Sequence, residues 1–104
     1  MANGTLSVSR NSPDDIKIRD LFVIVDDAEK IRLGYGESRD VPLTPGHHTI
    51  RATNGVYNKE ESFEVVDGQT VVYEVVNVAT KGFFSTILMM TGTVLYRVRL
   101  KRLG

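Results

Sequence analysis

Two adjacent imidazoles, His47-His48, and three adjacent carboxylate pairs, Asp14-Asp15, Asp26-Asp27 and Glu60-Glu61, are the groups of this chain that could do chemistry. Neighbouring histidines in a strand point to opposite faces, so these two cannot ligate one metal without a bulge. His48 is expected to pack at a strand start and His47 to be solvated. A carboxylate pair that cleaves bonds needs its two groups facing across about 5–10 Å. Adjacent acids in turns instead cap loops and keep sheet edges soluble. Asp14-Asp15 with Asp26-Asp27 would hold calcium only if their loops met at one pole, and their spacing matches no EF-hand loop. Gly34-Tyr35-Gly36 lacks the Lys-Ser or Lys-Thr and the following helix of a phosphate loop. Ser7, Ser9, Ser12, Ser38, Ser62 and Ser85 have no Gly-x-Ser-x-Gly setting. The chain has no cysteine, which excludes a thiol nucleophile, a thiolate zinc site and a disulfide scaffold. The expectation is no catalytic residue, no metal and no cofactor.

The elements around these groups read as strands and turns. Leu6 and Val8 alternate with polar neighbours, and the apolar run Leu21-Phe22-Val23-Ile24-Val25 suits a strand buried on both faces. Ile16 and Ile18 alternate with Lys17 and Arg19 as another strand candidate. Lys30 begins a strand that Gly34-Tyr35-Gly36 breaks, and Val41 and Leu43 face inward once it resumes. Thr44-Pro45-Gly46 fits a type II turn. Beyond it His48, Ile50 and Ala52 oppose His47, Thr49 and Arg51. Asn54-Gly55 and Asp67-Gly68 are type I′ hairpin signals. Phe63 and Val65 take the core face of the return strand. Val71, Tyr73 and Val75 line one side of the longest strand, with Val72, Glu74, Val76 and Val78 on the other. About 7–9 short strands at this spacing predict two facing antiparallel sheets. With 104 residues, one domain spans 1–104.

Three stretches carry a resemblance. They are Phe22-Val23-Ile24-Val25-Asp26-Asp27, the segment 41–52 around Pro45-Gly46-His47-His48, and the segment 63–71 around Asp67-Gly68. Residues 21–76 resemble the PEGA-like, immunoglobulin-type β-sandwich modules of bacteria. The resemblance implies a single Ig-like sandwich and an accessory role without a shared active site. Leu43-Thr44-Pro45-Gly46 keeps only the proline and glycine of the family's four-residue signature, and Asp27 stands where glycine is expected.

The tail is different. The first 80 residues carry 8 bases and 13 acids, and the rest carries only the bases Lys81, Arg97, Arg99, Lys101 and Arg102. Residues 82–96 are uncharged. As a helix they would reach about 22 Å, short of the roughly 30 Å of a bilayer core. Residues 83–91 read equally as a short apolar helix or a strand, placing Phe84, Ile87, Leu88 and Met90 in an apolar group. The last strand alternates, with Arg97, Arg99 and Lys101 on one face.

The function expected is a non-enzymatic interaction or structural module that binds a protein partner or itself through Phe84, Ile87, Leu88 and Met90. The alternative is a peripheral membrane module that adds Arg97, Arg99, Lys101 and Arg102 as anion-binding groups on anionic lipid. The bland alternatives are a tail buried in the core and bases paired with the acidic body. Nucleic acid is not expected, since the body would repel phosphate, and no small-molecule substrate is evident. Met1-Ala2-Asn3-Gly4 opens no signal peptide, so a cytoplasmic or membrane-peripheral site is expected.

Overall fold

The computed structural model describes residues 3–17, 20–28, 30–55, 57–79 and 96–104. Eight strands form two four-stranded sheets: β1 Gly4–Ser9, β2 Leu21–Val25, β3 Ile31–Leu33, β4 Ser38–Leu43, β5 Gly46–Thr53, β6 Asn58–Val65, β7 Thr70–Ala79 and β8 Tyr96–Arg102. Sheet A has the order β4-β1-β7-β8 and sheet B the order β3-β2-β5-β6. The sheets face each other as a sandwich, and the inward rows form its core: Leu6 and Val8, Leu21 and Val23, Ile50 and Ala52, Phe63 and Val65, Val71, Tyr73 and Val75, Val98 and Leu100. Each is an alternate residue of its strand, because side chains there alternate faces. Each fully buried aliphatic side chain contributes about 1.5–3 kcal/mol of transfer free energy, so these rows dominate stability.

Several sequence expectations are corrected. One pairing is parallel: β1 runs alongside β7, from Thr5 opposite Thr70 to Ser9 opposite Glu74. No hairpin joins these strands, and a parallel neighbour needs a long connection, which here is most of the chain. The strand resumed after Gly34-Tyr35-Gly36 is not a continuation. β3 belongs to sheet B and β4 to sheet A, and the turn closed by the Glu37 amide on the Gly34 carbonyl (3.1 Å) carries the chain across. Asp67-Gly68 is likewise no hairpin. The Gln69 amide closes the turn on the Val66 carbonyl (3.0 Å), and the chain passes from β6 in sheet B to β7 in sheet A. Residues 15–17 are not a strand: Lys17 has φ 66° in a loop that bonds to β7 through the Ile16 amide and Asn77 carbonyl (2.9 Å).

The β5–β6 hairpin is real, but its reversal is shifted. The Asn54 amide bonds the Tyr57 carbonyl (3.2 Å), and Gly55 carries the left-handed φ of 93°. Glycine takes that conformation without a Cβ clash, so Asn54 keeps an ordinary backbone and frees its side chain for the interior. The β2–β3 turn is the reverse case. Asp26 and Asp27 themselves hold φ 51° and 58°, and the Ala28 amide closes on the Val25 carbonyl (3.0 Å). Aspartate tolerates the left-handed region better than most residues, which explains its use where glycine is expected.

Two apolar outer-face residues are also buried, Ile24 in sheet B and Val76 in sheet A, as is the polar Thr53 beside Ile24. At Gly4 the two sheets approach closely, and a Cβ there would collide with Val65 Cγ1.

Candidate functional site

The polar groups gather at the two ends of the sandwich. At one end β5 begins beyond Pro45, and its alternation turns His48 inward, 8% exposed. The His48 Nδ1 lies 2.5 Å from Asp26 Oδ2, and Nε2 lies 2.6 Å from the Thr44 carbonyl. A carbonyl and a carboxylate only accept, so both ring nitrogens donate and the ring is an imidazolium. The Asp26 hydrogen bond, followed by the Thr44 carbonyl, holds the His48 pKa above its ordinary value. Burial pushes Asp26 up, but the His48 bond and the Thr49 amide (2.8 Å to Oδ1) outweigh it and hold the carboxyl below its usual range. The ring packs at a tilt against Phe63, centroids 5.9 Å apart, and Phe63 at a tilt against Tyr73 at 5.6 Å. While both nitrogens donate, His48 has no lone pair for a metal or a substrate proton. It staples the β2–β3 turn to the β4–β5 corner.

His47 points outward, as alternation requires, with Nδ1 2.9 Å from Glu64 Oε1 on the exposed face of β6. The two imidazoles are separated, as expected. Among the described residues, no group of three histidine, aspartate or glutamate side chains is placed to hold a metal ion.

The opposite end joins Asp15, one of the paired carboxylates, to Arg10, Asn54 and Asn77, which the chemical reading of the sequence did not single out. Arg10 and Asp15 are paired with side chains 1% and 0% exposed. Arg10 Nε and Nη2 reach the two Asp15 oxygens at 2.9 and 3.0 Å, and Nη1 donates to the Leu33 carbonyl at 2.9 Å. Asp15 also accepts from the backbone amides of Lys17 (2.8 Å) and Asn77 (3.2 Å). Burial raises its pKa, and Arg10 with these two amides overcomes that and lowers it. Asn54 Nδ2 donates to Asn77 Oδ1 at 3.1 Å, joining the sheets again, and Asn54 Oδ1 accepts from the Tyr57 amide at 2.8 Å. Arg10 and Asn54 thus bridge sheet A and sheet B at this end. The signal was parity: Arg10 is in phase with Leu6 and Val8, and Asn77 with Val71, Tyr73 and Val75.

The remaining carboxylate pairs are dispersed. Asp14 pairs with Arg99 at 3.1 Å, and Glu60 and Glu61 lie on opposite faces of β6. On β8, Arg97, Arg99 and Lys101 are exposed on the outer face, while Val98 and Leu100 are buried. Arg102 lies on the other row at the strand end, with Nε 3.3 Å from the Gly104 carbonyl. The Asp14–Arg99 pair realises in part the pairing of tail and acidic body. Phe84, Ile87, Leu88 and Met90 lie outside the described residues. The outer face of sheet B carries a shallow, open groove between Ile24, Arg51, Thr53, Asn58 and Glu60. Among the described residues, no helix is long and apolar enough to cross a membrane. No family model matches the chain, and no curated protein or solved structure is significantly similar to it.

Proposed function

We propose that the protein is a non-enzymatic interaction module that binds a protein partner or itself through the apolar 83–90 stretch, with Phe84, Ile87, Leu88 and Met90 in contact. The observation that carries the reading is the construction of β8. It buries Val98 and Leu100 in the core while presenting Arg97, Arg99 and Lys101 outward, so the apolar stretch leads into a strand anchored along β7. The engaged nitrogens of His48 support the non-enzymatic part. Size-exclusion chromatography with light scattering tests the reading on the wild type and Phe84→Asp. A wild-type mass above the monomer that falls in the variant is expected, and a monomer in both counts against it.

A second reading has its own observation. Arg97 and Lys101 are exposed and carry no ion pair within the described residues. They suit anionic lipid, with the apolar stretch entering the interface. Flotation with liposomes with and without phosphatidylserine decides, since recovery without lipid dependence removes it.

The kinship with bacterial PEGA-like, immunoglobulin-type modules is part of the same proposal. The Pro45-Gly46 corner between β4 and β5, the Asp26-Asp27 turn and the packed His48 support it. The strand order weighs against a constant-type immunoglobulin pattern, in which the first strand pairs with the second. Here β1 lies between β4 and β7. An experimental structure of a PEGA-like module with its first strand beside its second would end the kinship.

A further inference from the structure

We propose that two copies of this chain form a closed two-fold dimer in which β6 of each copy pairs with β8 of the other. The proposal rests on the self-association reading above but uses a different surface from the 83–90 stretch.

Among the described residues, four strands end the two sheets: β4 and β8 in sheet A, β3 and β6 in sheet B. A terminal strand offers a row of backbone donors and acceptors to any strand that comes alongside. β3 has only 3 residues, and β4 contains Pro42, which lacks an amide donor. β6 and β8 are longer, at 8 and 7 residues, and lie against each other on the same side of the sandwich. That side is the one where a long ladder can be added.

Charge selects the occupant. The outer face of β6 exposes Glu60, Ser62 and Glu64, and the outer face of β8 exposes Arg97, Arg99 and Lys101. Pairing β8 with another β8 would set bases against bases, and pairing β6 with β6 would set acids against acids. Like charges directly opposite are destabilising, and opposite charges contribute about 0.2–1 kcal/mol per pair. Only β6 against β8 sets acids against bases. A half-turn about an axis along the strands places sheet A of one copy beside sheet B of the other. Both ladders then form in one operation, and the assembly closes instead of growing into a filament.

Glu61 is a second, independent observation. It lies on the inner face of β6 opposite Ile50, and its Oε2 is buried with no hydrogen-bond partner. A buried carboxylate oxygen without a partner is costly. It marks the β6 edge as a place where an added strand can bring a missing donor. The existing surface pairs, His47–Glu64 and Asp14–Arg99, are exposed and exchange readily.

The test is a charge swap read by light scattering at low salt, with circular dichroism to confirm folding. One variant set is Arg97→Glu, Arg99→Glu and Lys101→Glu; the other is Glu60→Lys with Glu64→Lys. The wild type is expected at twice the monomer mass. Each set alone should raise the dimer dissociation constant at least about tenfold, and both sets in one chain should restore the dimer. Hydrogen exchange of wild-type β6 and β8 amides should slow as concentration rises. A monomeric wild type, a dimer indifferent to both sets, or β6 and β8 exchange independent of concentration overturns the pairing. If Phe84→Asp dissociates the dimer and neither charge set does, the apolar stretch stands and the strand pairing falls. The opposite result leaves the strand pairing and removes the apolar stretch.

Discussion

The two ends of the sandwich each carry an ion pair with extra backbone hydrogen bonds, yet they differ in exposure and in kind. Arg10–Asp15 is sealed, with side chains 1% and 0% exposed, while in His48–Asp26 the acid is 41% exposed. The sealed pair uses arginine, which stays charged at any working pH and grips the carboxylate with two parallel bonds. The open pair uses histidine, whose charge depends on its partner. The contrast teaches that similar geometry yields a fixed strut at one end and a titratable clasp at the other. Removing both solvent access and proton exchange makes the difference.

The largest expected effect comes from breaking the sealed end. Arg10→Met strands Asp15 as a buried charge and should cost about 3–5 kcal/mol in chemical denaturation. A loss as small as that of a surface pair would erase the distinction between the two ends.

At the other end the strongest constraint is steric. Gly4 lies opposite Leu43, just before Thr44, and Gly4→Ala drives a methyl into Val65. The expected loss is about 1–3 kcal/mol by thermal unfolding. An unchanged melting temperature would mean that the sheets can separate there, and would shift the weight back to the clasp.

The clasp itself is distinguished by pH. His48 has its folded pKa raised above 6.5, so its contribution is complete below 6.5 and is lost as pH rises through the raised value. Asp26 and Asp15 have folded pKa values lowered from 3.8, so their contributions are complete above 3.8 and fade as pH falls through the lowered values. His48→Phe should therefore cost about 1 kcal/mol between pH 4 and 6.5, the charged-bond value discounted for the half-exposed acid. The gap to wild type should narrow above that window in urea titrations run at several pH values. A gap constant from pH 5 to pH 9 would remove the titratable character.

The smallest effect sharpens the comparison from outside. Arg99→Ala breaks an exposed pair with Asp14 and should change stability by no more than about 0.5 kcal/mol. A larger loss would show that the pair also holds down the loop that delivers Asp15.

The faces of the strands were legible in the sequence, and their neighbours were not. Period two places Ile50 and Ala52, Phe63 and Val65, or Val98 and Leu100 inside without any knowledge of which strand lies beside which. Strand order depends on contacts between distant residues, and nothing in the alternation near Leu6 points to Val71. Turn chemistry was half legible. Gly68 marks a corner, but whether the chain returns in the same sheet or crosses to the other is decided by the rest of the sandwich. Asn54 was misread because its turn-forming habit hid a buried role, whereas the phase of Arg10 and Asn77 pointed inward all along. His48 was placed correctly as packed, and its partner Asp26 was hidden by 22 residues of separation. Phe84, Ile87, Leu88 and Met90, read from the spacing of the apolar group, lie outside the described residues.

The parallel alignment of β1 with β7 has a consequence for how the molecule assembles. Sheet B draws on residues 21–65, interrupted only by β4, and its hairpins can zip locally. Sheet A must recruit Thr5 to Thr70 across more than half of the polypeptide, a closure whose entropy is spent before any reward. β1 is therefore expected to join last, between β4 and β7, and the rate of that insertion would set how long the unfinished half stays open to misassociation.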